Sequence, residues 1–210
     1  GTAANDTFDG VYYADGGTGT TAFPGDSISG KAGIDTFNLS VAGLSTAAQA
    51  INALTTTGVE KLLVTNYDSN TDEAEDTTID TALMSGLTTI GLVGSNDYGD
   101  TEFTNVSSIV ATEYRNGSGD FKVTYGTSAV SGSADSADLT ISNLTGGNTG
   151  YTSNGIETLN IKSETAKSTV KNVISDKLTK LVVTGDANLT ITDAVDFVDG
   201  TNGDTTIDST

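Results

Sequence analysis

One spacing recurs along this chain: an apolar residue, two variable residues, an apolar residue, one variable residue and a third apolar residue. It is found at Val59, Leu62 and Val64; Leu87, Ile90 and Leu92; Val106, Ile109 and Ala111; Ile156, Leu159 and Ile161; and Leu178, Leu181 and Val183. A weaker copy at Leu139 and Ile141 lacks the first apolar position. With it included, the first positions fall at 59, 87, 106, 136, 156 and 178. A short strand with one apolar face, repeated every ~20 residues with insertions in some turns, marks a solenoid whose coils bury their apolar residues only against one another.

A second strand precedes some of these rungs. Ile79 lies eight residues before Leu87 and Val170 eight before Leu178, and Ile207 begins a third instance at which the sequence stops. The chain therefore reads as cut from something longer. Apolar and polar residues also alternate at Phe121 to Tyr125 and Leu189 to Thr192, as in strands. The stretch from Leu44 to Leu54, with Ala47, Ala48 and Ala50, reads as a helix capped by Ser45 or Thr46. The expected fold is all-β, a parallel β-helix or β-roll solenoid with irregular coil lengths and at most one short helix. A leucine-rich repeat shares the L-x-x-L-x-L strand but continues with an Asn at a fixed later position, whereas Asn66, Asn96 and Asn188 follow their rungs at differing offsets. A β-sandwich would explain short strands and turns but not the repeated asymmetric template.

Glycine and aspartate carry the functional signal. Residues 30 to 38 read Gly-Lys-Ala-Gly-Ile-Asp-Thr-Phe-Asn, close to the G-G-x-G-x-D-x-U-x unit that winds a β-roll around Ca²⁺. Gly1 to Asp9, Gly-Thr-Ala-Ala-Asn-Asp-Thr-Phe-Asp, keeps the Gly, the Asp and the aromatic at the same offsets. Gly30 and Gly33 permit a tight turn whose carbonyls face a hard cation, and Asp35 adds a carboxylate. Because the ion sits between consecutive loops, Asp6, Asp26 and Asp35 are the principal candidate ligands, with Asp9 beside them. Phe8 and Phe37 would fill the core. The acidic loop after Tyr67 begins like an EF-hand with Asp68, Asn70 and Asp72, but Glu73 stands at position six and Ile79 at position twelve. The EF-hand reading fails, which leaves a solvated acidic insertion or a calcium loop of another kind with Asp68 and Asp72 as its ligands.

Nine basic residues against 28 acidic ones give a net charge of −19. Such a surface repels nucleic acid and anionic membrane and attracts divalent cations. The apolar runs are far too short for a membrane span. The chain has no His and no Cys, which removes the usual catalytic triads, thiol nucleophiles and zinc sites. No enzyme is expected. A polysaccharide lyase would need a basic residue at the sugar acid, and Arg115 is the one arginine. Tyr12, Tyr13, Tyr67, Tyr98 and Tyr151 would stack on a glycan only if clustered.

The run from Gly1 to Ser40 resembles the start of the assembly domain of RTX-type, calcium-binding bacterial surface-layer proteins of the Caulobacter kind. It departs from that pattern at Lys31, which stands at the second Gly, and at Ala4, which stands at a later one. The remaining residues match in Thr, Ser, Gly and Asp richness and in phrases such as Gly155-Ile156-Glu157-Thr158-Leu159-Asn160-Ile161. The resemblance implies an extracellular, cell-surface solenoid that binds Ca²⁺ and assembles with copies of itself, with surface polysaccharide as a further partner. The expected organisation is calcium-binding roll-like turns over 1–43, a short helical connector over 44–57 and parallel β-helix coils over 58–210. The alternative is a repeat module of a secreted adhesin or phage fibre that binds a glycan or host surface.

Overall fold

Each coil of the chain leaves its apolar side chains on one face of a short strand, and that face leaves water when the coils stack and their sheets close on a shared core. The computed structural model describes residues 1–13, 18–43, 48–68, 77–146, 149–196 and 206–209, which form nineteen strands and no helix. The first coil contributes β1 (Thr7–Tyr13) and β2 (Ser27–Ser29). The second contributes β3 (Thr36–Gly43), β4 (Gln49–Ile51) and β5 (Thr55–Thr57), and the third β6 (Lys61–Asp68), β7 (Thr77–Asp80) and β8 (Met84–Ser85). Later coils carry two strands each: β9 (Thr89–Ser95) and β10 (Thr101–Val106), then β11 (Ala111–Arg115) and β12 (Phe121–Tyr125). They continue with β13 (Ser136–Ser142) and β14 (Gly150–Ser153), and with β15 (Thr158–Ser163) and β16 (Ser168–Ser175). The last are β17 (Lys180–Gly185), β18 (Leu189–Asp196) and β19 (Thr206–Ser209).

Every pairing is parallel and joins neighbouring coils. One sheet runs β1-β3-β6-β9-β11-β13-β15-β17-β19, a second runs β18-β16-β14-β12-β10-β7-β4, and a short third runs β2-β5-β8. Register partners on the first sheet lie between 22 and 29 residues apart. This is a parallel β-solenoid with irregular coils. Its first-sheet core ladder reads Phe8, Phe37, Leu62, Ile90, Thr112, Leu139, Ile161 and Val183. At about 1.5–3 kcal/mol per buried large apolar side chain, each coil gains several kcal/mol from its neighbours and little alone. On the second sheet Phe103, Phe121 and Tyr151 meet edge to face, at centroid distances of 5.6 and 5.5 Å.

Three expectations need correction. Residues 48–54 are not helical: Gln49–Ile51 forms β4, with Ala50 exposed and Ile51 buried, and pairs with β7; Leu44 to Ala47 lie outside the described residues. The template copy at Val106, Ile109 and Ala111 is displaced. Val106 closes β10 in the second sheet and Ala111 is exposed, while Ile109, Thr112 and Tyr114 hold the equivalent places, with Thr112 and Tyr114 buried in β11. Ile207 belongs to β19 of the first sheet, opposite Leu181, not to the strand that carries Ile79 and Val170.

Candidate metal centre

Parallel register decides which side chains meet at the corner preceding the first sheet. Thr7, Thr36 and Lys61 are successive partners, so the residues just before them, Asp6, Asp35 and Glu60, stand one above another. Backbone bonds fix them there. Thr36 N–H donates to the Asp6 carbonyl at 2.9 Å, and Lys61 N–H donates to the Asp35 carbonyl at 3.0 Å.

The carboxylates of Asp35 and Glu60 each clasp the coil before their own. The Asp6 N–H donates to Asp35 Oδ1 at 2.7 Å, and the Asp35 N–H donates to Glu60 Oε2 at 2.7 Å. The Asp6 carboxylate accepts the Thr2 N–H and, at 3.0 Å, the Thr2 hydroxyl. The Thr2 N–H holds the Asp6 carboxyl below the usual carboxylate range; burial opposes this, and the Thr2 hydroxyl and Lys31 reinforce it.

Asp35 is wholly buried, yet its second oxygen, Oδ2, has no hydrogen-bond partner in the protein. A Cβ at Gly30 would overlap both this oxygen and the Gly58 carbonyl oxygen, so Gly30 is required for the two to converge. One coil earlier a Cβ at Gly1 would likewise overlap the Gly30 carbonyl oxygen and lie 2.9 Å from Asp6 Oδ2, but that oxygen already accepts from Thr2 and the place is exposed. A buried carboxylate oxygen without a hydrogen-bond partner, beside a carbonyl oxygen, fits a hard cation. Among the described residues no three acidic, His or Cys side chains converge on one point. The oxygen donors at this corner are therefore carbonyls as much as carboxylates.

The other candidate ligands lie elsewhere. Gly33, at φ 125°, closes the turn against the Ala4 carbonyl, and Lys31 adopts a left-handed φ of 81° at the place where the nonapeptide has glycine. Asp26 caps its own turn by accepting the Phe23 N–H at 2.8 Å. Asp9 projects from the outer face of β1 and accepts from Asn38 Nδ2 at 2.9 Å. Asp68 closes β6, and Asp72 lies outside the described residues. The structure thus joins Asp6, Asp35 and Gly30 and separates Asp9 and Asp26 from them.

Sequence reasoning missed Glu60 and a second clasp, in which the Asp135 N–H donates to Glu157 Oε2 at 2.8 Å. The signal was present. Gly33-Ile34-Asp35-Thr36-Phe37, Gly58-Val59-Glu60-Lys61-Leu62 and Gly155-Ile156-Glu157-Thr158-Leu159 share a glycine, a branched apolar residue and an acid before the strand. All three glycines have positive φ. The nonapeptide-like Asp35 is one case of this wider corner.

Arg115 is engaged on both sides. It pairs with Glu113 at 3.0 Å and with Glu164, two coils away, at 2.9 Å. Lys162 reaches Glu164 at 2.6 Å. Burial works against the Arg115 charge, but Glu164 and Glu113 outweigh it and raise its pKa. Lys162 and then Arg115 hold the Glu164 carboxyl below its ordinary range. Of the tyrosines considered for sugar stacking, Tyr151 is buried in the core and Tyr67 is exposed. A scan against protein families and searches of curated proteins and solved structures return no match.

Proposed function

We propose that this chain is a calcium-stabilised structural segment of a secreted surface-layer protein that assembles with its own kind on the cell surface. The observation that carries the reading is the buried, unpartnered Asp35 Oδ2 beside the Gly58 carbonyl, with a carboxylate and a carbonyl also close together one coil earlier at Asp6 and Gly30. Asp6 and Asp35, with the carbonyls of Gly30 and Gly58, would hold the ion. Bound calcium would supply the positive charge that these oxygens lack and would offset part of a net charge of −19. Because cytosolic free Ca²⁺ is low and external Ca²⁺ high, binding would couple folding to export. The role is architectural, and its partners are further copies of the chain and surface polysaccharide.

Thermal melts followed by circular dichroism, in chelator and across micromolar to millimolar Ca²⁺, test the calcium half of this reading. A saturable rise in midpoint that Mg²⁺ does not reproduce is expected; no rise would overturn it. Electron microscopy of the calcium-loaded chain tests the second half, where ordered sheets are expected and dispersed particles would count against a lattice.

A further inference from the structure

Positive charge is gathered in one stretch of a strongly acidic chain. Residues 158–185 carry five lysines against two acids, a net charge of +3. Residues 1–157 carry four cations against 20 acids, a net −16, and residues 186–210 carry six acids and no cation. Parallel stacking winds the positive stretch once around the solenoid. Lys162 projects from the outer face of β15, between the buried Ile161 and Ser163; Lys167 precedes β16, Lys171 lies within it, Lys177 follows it and Lys180 opens β17. The backbone ladder fixes these places: Lys171 N–H donates to the Thr149 carbonyl at 2.7 Å, and Lys180 N–H to the Glu157 carbonyl at 2.9 Å. Lys162, Lys167, Lys177 and Lys180 are exposed and Lys171 is half-buried. The seventh coil thus carries a lysine band across both long sheets and the corners that join them.

Most of this band is not neutralised within the molecule. Among the described residues the ion pairs join Arg115 to Glu113 and Glu164, Lys122 to Glu102 and Lys162 to Glu164. Lys167, Lys171, Lys177 and Lys180 therefore pair with no acid among the described residues. Cations that served only to relieve the chain's self-repulsion would be interspersed with its acids, as Arg115 and Lys122 are. Copies of a chain with a net charge of −19 repel one another, and a contact between them is favoured where opposite charges face. The complementary surface lies on the same chain, where Asp9, Asp97, Asp120 and Asp138 are exposed on earlier coils. Band and acids are different surfaces. A copy held by its acids keeps its own band free for a third, so such a heterologous contact does not stop at a pair.

We propose that Lys167, Lys171, Lys177 and Lys180 form the surface with which one copy of this chain holds the acidic coils of the next. This contact presupposes the surface-layer assembly proposed above. Carbodiimide cross-linking tests it, because the reagent joins a lysine amine to a carboxylate as an amide only where the two touch, and itself takes up the lost water as a urea. Isotopically light and heavy chains, mixed in millimolar Ca²⁺, separate links between copies from links within one. Mass spectrometry is expected to find mixed-isotope amides from the four lysines to acids of residues 1–157, falling about tenfold in ~0.5 M salt. The same fall is expected when Lys167→Gln, Lys171→Gln, Lys177→Gln and Lys180→Gln are combined, with a melting temperature close to wild type because these side chains lie at the surface. If the combined variant does not fold, the wild-type map of links and its salt dependence decide alone. Mixed links centred on other lysines, or ordered sheets that the folded variant forms as readily as the wild type, would overturn the contact and leave the surface-layer reading standing. Neither mixed links nor sheets from the wild type would overturn both. Binding of polygalacturonate that the variant loses, without links between copies, would assign the band to an acidic polysaccharide and overturn the proposal.

Discussion

Asp35 Oδ1 takes the backbone N–H of Asp6, 29 residues earlier, at 2.7 Å. The residue that the nonapeptide pattern marks as a metal ligand is thus also a covalently distant clasp between two coils. One oxygen is committed to the protein and the other is left facing a carbonyl. If the corner binds calcium as proposed, its stability would have a metal-independent part and a metal-dependent part, carried by different atoms of one carboxylate.

Asparagine at this position separates the two parts. Asp35→Asn keeps an oxygen acceptor for the Asp6 N–H and places an N–H donor where Oδ2 faces the Gly58 carbonyl. In chelator its melting midpoint is expected to match or exceed the wild type, while the rise produced by Ca²⁺ is lost. Asp35→Ala loses the clasp as well, about 0.5–1.5 kcal/mol in chelator. If Asp35→Asn retains the full calcium response, Asp35 is not a ligand.

The clasp at Glu157 offers the control, because Asp135 N–H donates to it at 2.8 Å in a part of the chain without a nonapeptide-like turn. Glu157→Ala should cost about 0.5–1.5 kcal/mol, equally with and without Ca²⁺, as read from denaturant midpoints. Glu157→Gln should recover most of the loss. A calcium-dependent cost at Glu157 would mean that the metal acts throughout the solenoid.

Acid should weaken the contacts of the Glu164 and Asp6 carboxylates. Glu164 and Asp6 have folded pKa values below their ordinary ones, so the unfolded chain binds protons first as the pH falls. Their contribution is fully present above the unfolded values of roughly 4 and is lost as pH drops through the lower folded values. Melting midpoints are expected to decline from about pH 5 downward, and Glu164→Gln should flatten that decline. Salt at ~1 M should shrink the difference between wild type and variant, since the Glu164 pairs with Arg115 and Lys162 are solvent-accessible. An identical acid profile for the variant would show that these pairs contribute nothing.

The apolar template made the core of the first sheet legible wherever aliphatic residues supply it, because strand parity sends Leu62 and Val64, or Leu159 and Ile161, to the same face. It misplaced the fifth coil because Thr112 and Tyr114 hold the inward places there, while Val106 and Ile109 imitate the spacing three residues early. The Ala-rich stretch misled for a different reason. Local propensity favours a helix over 44–54, but Ile51 is wanted in a column with Ile79 one coil on, and that packing overrides propensity. The glycine corner was legible as Gly and Asp. Its partner groups were not, because a backbone N–H or carbonyl one coil away leaves no mark at any fixed offset when register partners on the first sheet alone lie 22 to 29 residues apart.

Gly30 and Lys31 put opposite demands on one turn. A Cβ at Gly30 would overlap the Gly58 carbonyl and Asp35 Oδ2, and both are held by neighbouring coils, so neither yields cheaply. Gly30→Ala is expected to destabilise by about 2 kcal/mol or more and to abolish the calcium response, because the overlap lies where the two oxygens converge. Lys31, at φ 81°, bears the left-handed strain of an L-residue, about 1 kcal/mol or somewhat more. Lys31→Gly restores the residue of the nonapeptide pattern and should remove that strain, less the chain entropy that glycine adds to the unfolded state, for a net gain on the order of 0.5 kcal/mol. It also removes a cation that favours the Asp6 charge, which should raise calcium affinity by relieving competition at the same oxygens. Denaturant midpoints with and without Ca²⁺ read both effects. A Lys31→Gly chain that is more stable in chelator but binds Ca²⁺ no better would place the lysine outside the metal's field and confine its role to the turn.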